Sequence, residues 1–256
     1  AARSLDHYAI LLYCKSSLAE MTHPALQSGL FDRFSSVSNV SFTDLDLDPV
    51  DLGGTVTWEP PDDTNFTKHY SVYLSLSADG LESNGVNRSQ IEVDVEEGTN
   101  ERTVVPDTDS NGYVNILVYT KSTFFQQSTP TSLVFIDKFQ SISNISFTDY
   151  DLDLDQLGGE ITWLKPEDTT LVAHYTVYLA VNETGGDRSQ VGEVAVSTTT
   201  IDLLPDQPEA SYDKIVVYTK SSLVEQSTPV AFSVSDTSST ATGANMTDED
   251  LDAGDW

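Results

Sequence analysis

Basic residues are scarce: 12 Lys and Arg stand against 41 Asp and Glu, a formal net charge of −29 over 256 residues. A surface of that sign repels phosphate backbones and anionic headgroups and attracts cations, so nucleic-acid binding is excluded and no direct membrane insertion is expected of this segment. Cysteine is scarcer still. The single Cys14 cannot form an internal disulfide. Its place in LLYCKSS is held by Thr120 in LVYTKST and by Thr219 in VVYTKSS, so no thiol is required there. No apolar run approaches the roughly 20 residues of a spanning helix, and no charged-then-apolar leader opens the chain. There is no Gly-x-Ser-x-Gly, no His-Glu-x-x-His and no Gly-rich phosphate loop, so the expectation is that the chain is not an enzyme. His69 and His174 each stand alone before a tyrosine, without a Cys partner or zinc spacing, and read as strand-edge residues.

What is abundant is internal repetition. SNVSFTDLDLDPVDLGGTVTWEPPDDT superposes without a gap on SNISFTDYDLDLDQLGGEITWLKPEDT, placing Trp58 on Trp163. The match continues through HYSVYL and HYTVYL, RSQ and RSQ, and ILVYTKSTFFQQSTP against IVVYTKSSLVEQSTP, so one copy is one domain. Four segments follow: 1–32, the closing strands of a preceding repeat; 33–137 and 138–236, two complete repeats; and 237–256, a linker and the opening strand of a following repeat. MTDEDLD near the end matches FTDYDLD. The terminal pieces lack the middle of a domain and cannot bury a core alone. Either the sequence is a window onto a longer polypeptide, or neighbouring chains complete each other's end domains.

The second copy parses as strands over 142–148, 160–163, 173–180, 191–196, 199–203, 213–220 and 229–234. β-Branched and aromatic residues alternate there, between turn residues such as Asn-Glu-Thr-Gly-Gly and Pro-Asp-Gln-Pro. Seven short strands in about 100 residues predict an all-β chain of tandem seven-stranded Greek-key sandwiches. The aromatic residues Trp58, Trp163, Tyr70 and Tyr175 fall on inward-reading strands and are expected in the cores.

The pattern of Trp before a Pro-containing loop (Trp58, Pro60, Pro61; Trp163, Pro166), Tyr-x-Val-Tyr (Tyr70, Val72, Tyr73; Tyr175, Val177, Tyr178) and Leu204-Pro205 ahead of Tyr212 resembles the fibronectin type III family and its immunoglobulin-like relatives. The likeness covers both complete copies and is similar to tandem repeats of large extracellular surface or fibril proteins. One departure is the spacing from Tyr113 to Ile116 and from Tyr212 to Ile215, three residues where the family has two. In such a sandwich the loop after the first strand lies at the pole where the chain leaves, which implies that residues 44–48 face Glu167 and Asp168 of the next domain.

Residues 44–48 carry an acidic alternation, Asp44, Asp46 and Asp48 about Leu45 and Leu47, that recurs as Asp149, Asp151, Asp153 and Asp155. In an extended segment every second side chain points the same way, so the carboxylates are expected on one edge and the leucines toward the core. Like charges about 7 Å apart suit a hard cation that prefers six to eight oxygens, and calcium is the expected ion. The alternative is a solvated acidic turn with only diffuse ions. Six Asn-x-Ser/Thr triplets, at Asn39, Asn65, Asn87, Asn144, Asn182 and Asn245, predict N-linked glycans and an extracellular or cell-surface setting. Two functions fit: a structural repeat protein forming a glycosylated fibre or surface coat, with copies of itself or neighbouring repeats as partners, or an adhesin or receptor ectodomain that binds a protein or glycan.

Overall fold

The computed structural model describes residues 9–24, 26–29, 34–81 and 88–245. Every regular element among them is a strand. The first complete repeat holds β3 (Ser38–Ser41), β4 (Asp51–Glu59), β5 (His69–Ser75), β6 (Arg88–Gln90), β7 (Val95–Glu96), β8 (Glu101–Asp109), β9 (Asn115–Lys121) and β10 (Thr131–Val134). The second holds β11 (Ser143–Phe147), β12 (Gln156–Leu164), β13 (His174–Ala180), β14 (Ser189–Ala195), β15 (Thr200–Pro208), β16 (Lys214–Lys220) and β17 (Val230–Ser233). Ahead of both, β1 (Ala9–Leu12) pairs antiparallel with β2 (Leu26–Gly29).

Each complete repeat is two antiparallel sheets, β3-β4-β8 against β10-β9-β5-β6 in the first and β11-β12-β15 against β14-β13-β16-β17 in the second. β6 and β7 pair successive parts of β5, one strand position broken in two, so both repeats are seven-stranded. The cause is alternation: in β4, Val56 and Trp58 are buried while Thr55, Thr57 and Glu59 are exposed. Trp58 meets Tyr70 edge-on at 5.3 Å and Trp163 meets Tyr175 at 5.5 Å, each pair inside its own core. β5 and β9 are buried on both faces, because Tyr73 and Tyr119 pack outside the sheet with the Arg88 guanidinium 4.3 and 4.5 Å above their rings. Arg188 repeats this over Tyr178 and Tyr218, which accounts for the recurring Arg-Ser-Gln.

The structure departs from the sequence reading in two local places. Pro-Asp-Gln-Pro is no turn: β15 runs through it to Pro208, on the edge of its sheet, where a missing N–H is tolerated. The register shift between Leu157 and Gly159 marks a bulge here, and Asp206 takes φ 61°. Tyr113 and Tyr212 lie in the turns before β9 and β16, each donating its amide to the carbonyl three residues back while its ring packs on the core.

Truncating Trp163 to Ala should lower the unfolding free energy by about 3–5 kcal/mol in denaturant melts, since it removes a buried aromatic from a tight core. Leu164→Ala, one position along on the exposed face, should change it little.

Candidate functional site at the domain junction

The acidic segments lie between the first two strands of each sandwich, at the trailing pole where the chain leaves. In the first segment Leu47 is buried as expected, but Asp44, Asp46 and Asp48 are buried as well, at 1%, 0% and 1% exposure. In the second, Tyr150, Leu152 and Leu154 are 73%, 54% and 68% exposed, and Asp153 and Asp155 are exposed too, while Asp149 is buried. Asp44 and Asp46 turn inward because each accepts the amide two residues on, Asp46 N to Asp44 Oδ1 at 3.2 Å and Asp48 N to Asp46 Oδ1 at 3.2 Å; Asp151 N and Asp153 N repeat this on Asp149 and Asp151. Amide dipoles, rather than distance, relieve the crowding of like charge.

The remaining oxygens gather the rest of the pole. Asp44 Oδ1 accepts Gly53 N at 3.0 Å and Oδ2 accepts Lys138 N at 2.9 Å; Asp149 takes Gly158 N at 3.0 Å and Thr237 N at 2.8 Å. Asp46 Oδ2 accepts the bulge amide of Asp107, as Asp151 Oδ2 accepts that of Asp206, both at 2.7 Å. The Gly-Gly pair is required by this crossing: a Cβ on Gly54 would stand 2.5 Å from the Thr43 carbonyl oxygen, and Gly159 passes Thr148 as closely. The outgoing linker is clamped the same way in both copies. Val50 N binds Asp137 and Asp155 N binds Asp236, while Gln140 N reaches the Leu47 carbonyl and Ser239 N that of Leu152.

In the first copy the segment continues into the next sandwich. Asp48 accepts Ser227 N at 2.6 Å, Thr228 N at 3.1 Å and the Thr228 hydroxyl. Gln226 Nε2 donates to the Leu47 carbonyl at 2.7 Å, Leu47 joins the buried cluster of the second core, and Leu223 reaches the surface of Gly53. The partner of the acidic segment is therefore the β16–β17 turn. Asp168 instead binds its own loop through Thr170 and stands 3.8 Å from Lys138 Nζ. The turn is shaped by its first serine: Ser221 Oγ accepts the amides of Leu223 and Val224, as Ser122 does for Phe124 and Phe125 and Ser16 for Leu18 and Ala19. These turn residues were not recognised as functional from sequence, although Ser-Thr-Pro recurs at Ser128 and Ser227.

Two acidic trios bring carboxylate oxygens within 4.8 Å of one another: Asp151, Asp153 and Asp206, and Asp155, Glu209 and Asp236. Asp46, Asp48 and Asp107 form no such trio, Asp48 being held by Ser227 and Thr228. Among the sequons, Asn39, Asn65, Asn144, Asn182 and Asn245 are exposed, and Asn87 lies outside the described residues. Asn39 and Asn144 have φ of 49° and 51° at matching bulges, a conformation that Asn adopts readily. Cys14 is exposed. No helix among the described residues is long and apolar enough to cross a membrane.

Burial pushes the Asp44 carboxyl up to about 6 against the three amides that pull it down, and burial raises Asp51, Asp137 and Glu209 as well. A carboxyl raised on folding holds its proton more tightly in the folded state. Its contribution is full below the ordinary value of 3.8 and is lost as pH rises through about 6. Asp151 is pulled down by the amides of Asp206 and Asp153, so its contribution fails only on acidification below the ordinary range. Through Asp44 the unfolding free energy should thus fall between about pH 4 and 6, by at most about 1.4 kcal/mol per pH unit. Denaturant melts of Asp44→Asn across this range should show a shallower slope.

No family model and no curated protein matches the chain. Among solved structures it is similar to the FN1–FN3 domains of chicken CNTN1, at 12% identity and a TM-score of 0.33, over 89% of this chain and 76% of that one. The fold stands on its strand order: three strands facing four, in the same connectivity twice, make each complete repeat a Greek-key sandwich of fibronectin type III-like form.

Proposed function

We propose that this chain is part of an extracellular structural array in which sandwiches stack end to end through their acidic segments, forming a glycosylated fibre or surface coat. The observation that carries this reading is the double grip of one segment. Asp44 and Leu47 hold the outgoing linker, and Asp48 and Leu47 hold the next sandwich's turn, so direction and rotation are set together. A flexible string of binding modules needs no such junction, whereas a fibre of defined pitch does. Five exposed sequons distributed over the described residues suit a hydrophilic coat. An adhesin would place its ligand site in one copy, and electron microscopy of native material separates the two: ordered filaments support the array, isolated flexible strings the adhesin.

A second reading, favoured by the carboxylate trios, adds calcium at Asp151, Asp153 and Asp206 and at Asp155, Glu209 and Asp236. Three protein oxygens per ion leave the remaining ligand positions to water. The oxygens of Asp44, Asp46 and Asp48 are occupied by amide and hydroxyl donors and contribute no site in this reading.

Asp48→Ala should leave both cores folded and loosen the junction, at a cost of about 1–3 kcal/mol in contacts between the sandwiches. X-ray scattering should then show a broadened distribution of interdomain distances at an unchanged main melting transition. Calorimetric titration with calcium should give a saturable site that Asp206→Asn weakens strongly; heat without saturation would remove calcium from the account. Mass spectrometry of native material should find glycans on Asn39 and Asn144.

A further inference from the structure

The linker between the two sandwiches is held by two carboxylates whose hydrogen-bonding capacity is not fully used. Asp44 is 1% exposed and has four lone-pair positions to satisfy. Its Oδ1 accepts two amides, Asp46 N and Gly53 N, whereas Oδ2 accepts one, Lys138 N. Asp137 stands immediately before that lysine. Its Oδ2 accepts Val50 N at 2.8 Å, and its Oδ1 is buried with no hydrogen-bond partner among the described residues. A buried carboxylate oxygen without a donor is costly, and a proton on it removes that cost. The charges that bear on the pair are themselves carboxylates. Asp137 acts on Asp44, Asp46 acts on Asp137, and Asp46, Asp48, Asp107 and Asp109 act on Asp51 of the adjoining β4. The Lys138 ammonium stands at Asp168 instead, 3.8 Å away.

We propose that Asp44 and Asp137 share one proton in the closed linker clamp, held between Asp137 Oδ1 and the remaining lone pair of Asp44 Oδ2, so that the junction tightens as pH falls. The shared proton gives the orphaned oxygen a partner and removes the repulsion between the two groups, while every amide keeps its acceptor. Opening the clamp returns both carboxyls to water and to their ordinary acidity. In the closed clamp burial pushes Asp44 up to about 6, against the amides that pull it down, and burial followed by the Asp46 charge raises Asp137. A group whose closed-state value is raised favours closure fully below its ordinary 3.8, and that contribution is lost as pH rises through about 6. Within this window the closed-to-open ratio falls by up to about tenfold per pH unit for one proton. The effect reaches the next sandwich because the linker held by Asp44 also binds Leu47 through Gln140 N, and the Leu47 carbonyl receives Gln226. The inference deepens the array reading by naming what regulates its junction.

The test is single-molecule energy transfer across the junction of the full chain, in chelator and at dilution, from just above the isoelectric point of 4.1 to pH 7.5. Dyes sit on Thr103→Cys and Thr200→Cys in a Cys14→Ser background, both threonines being exposed and on different sandwiches. The parent's distance distribution should be narrow in acid and broaden as pH rises through about 6. Two isosteric variants should part in opposite directions. Asp137→Asn puts an amide donor where the shared proton sits and should stay narrow throughout, whereas Asp44→Asn turns a donor against the amides it must accept and should be broad throughout. In the unlabelled parent, carbon NMR should show both carboxyls moving together in a step near pH 6. A parent whose width ignores pH overturns the proposal, as do an Asp137→Asn chain that broadens like the parent and two carboxyls that titrate independently in the ordinary range. Should Asp44→Asn fail to fold, the other variant and the carboxyl titration still decide. A junction indifferent to pH removes the proton and leaves the array reading standing, while native material without filaments sinks the array reading and leaves the proton in place.

Discussion

Everything at the trailing pole depends on carboxylates that point inward to collect backbone amides. A buried carboxylate without donors is expensive, and three in five residues would be prohibitive. Here each oxygen of Asp44, Asp46 and Asp48 accepts at least one donor, from the segment itself, from the bulge of β8, from the outgoing linker or from the next sandwich. Alternation is the device that makes this possible. With an aspartate at every second position, Asp44 and Asp46 each reach the amide two residues on and keep the second oxygen for a distant partner, while Asp48 turns both of its oxygens to the next sandwich.

The consequence for architecture is that a local motif controls long-range geometry. The amide of Lys138 is fixed by Asp44, and the Leu47 carbonyl then receives both Gln140 from the linker and Gln226 from the turn. One five-residue stretch therefore sets where the chain leaves and what it meets. Leu47 adds apolar burial by entering the core of its neighbour, while the two cores remain separate clusters.

The copies are not equivalent in their surroundings, and a few positions differ between them. Val50 and Ser110 of the first copy are Asp155 and Glu209 in the second, which together with Asp236 make an acidic trio that the first copy lacks. Asp48 is covered and Asp153 is exposed, although both descend from the same alternating pattern. Phe124 and Phe125 stand where the second copy has Leu223 and Val224, making the β9–β10 turn the more aromatic of the two.

By itself the sequence determined the sheet class, the repeat and the cores, because period-two alternation and aromatic placement are local and survive in any packing of these strands; Trp58, Trp163, Tyr70 and Tyr175 are buried as read. It also marked the acidic segments, Asp44 to Asp48 and Asp149 to Asp155, as the unusual feature. Alternation assigns two faces, and burial of leucine was the reasonable expectation for an isolated strand, which Leu47 meets. Only the tertiary structure buries the carboxylates of Asp44, Asp46 and Asp48 as well, since the donors that make this favourable come from Asp107, Lys138, Ser227 and Thr228, between about 60 and 180 residues away. The choice of the Ser-Thr turn over the Glu167–Asp168 loop as the partner was decided at the same level. It depends on where one sandwich's pole lands on the next, and that is set by the linker bonds to Asp44 and Leu47 rather than by any local preference of the residues that meet.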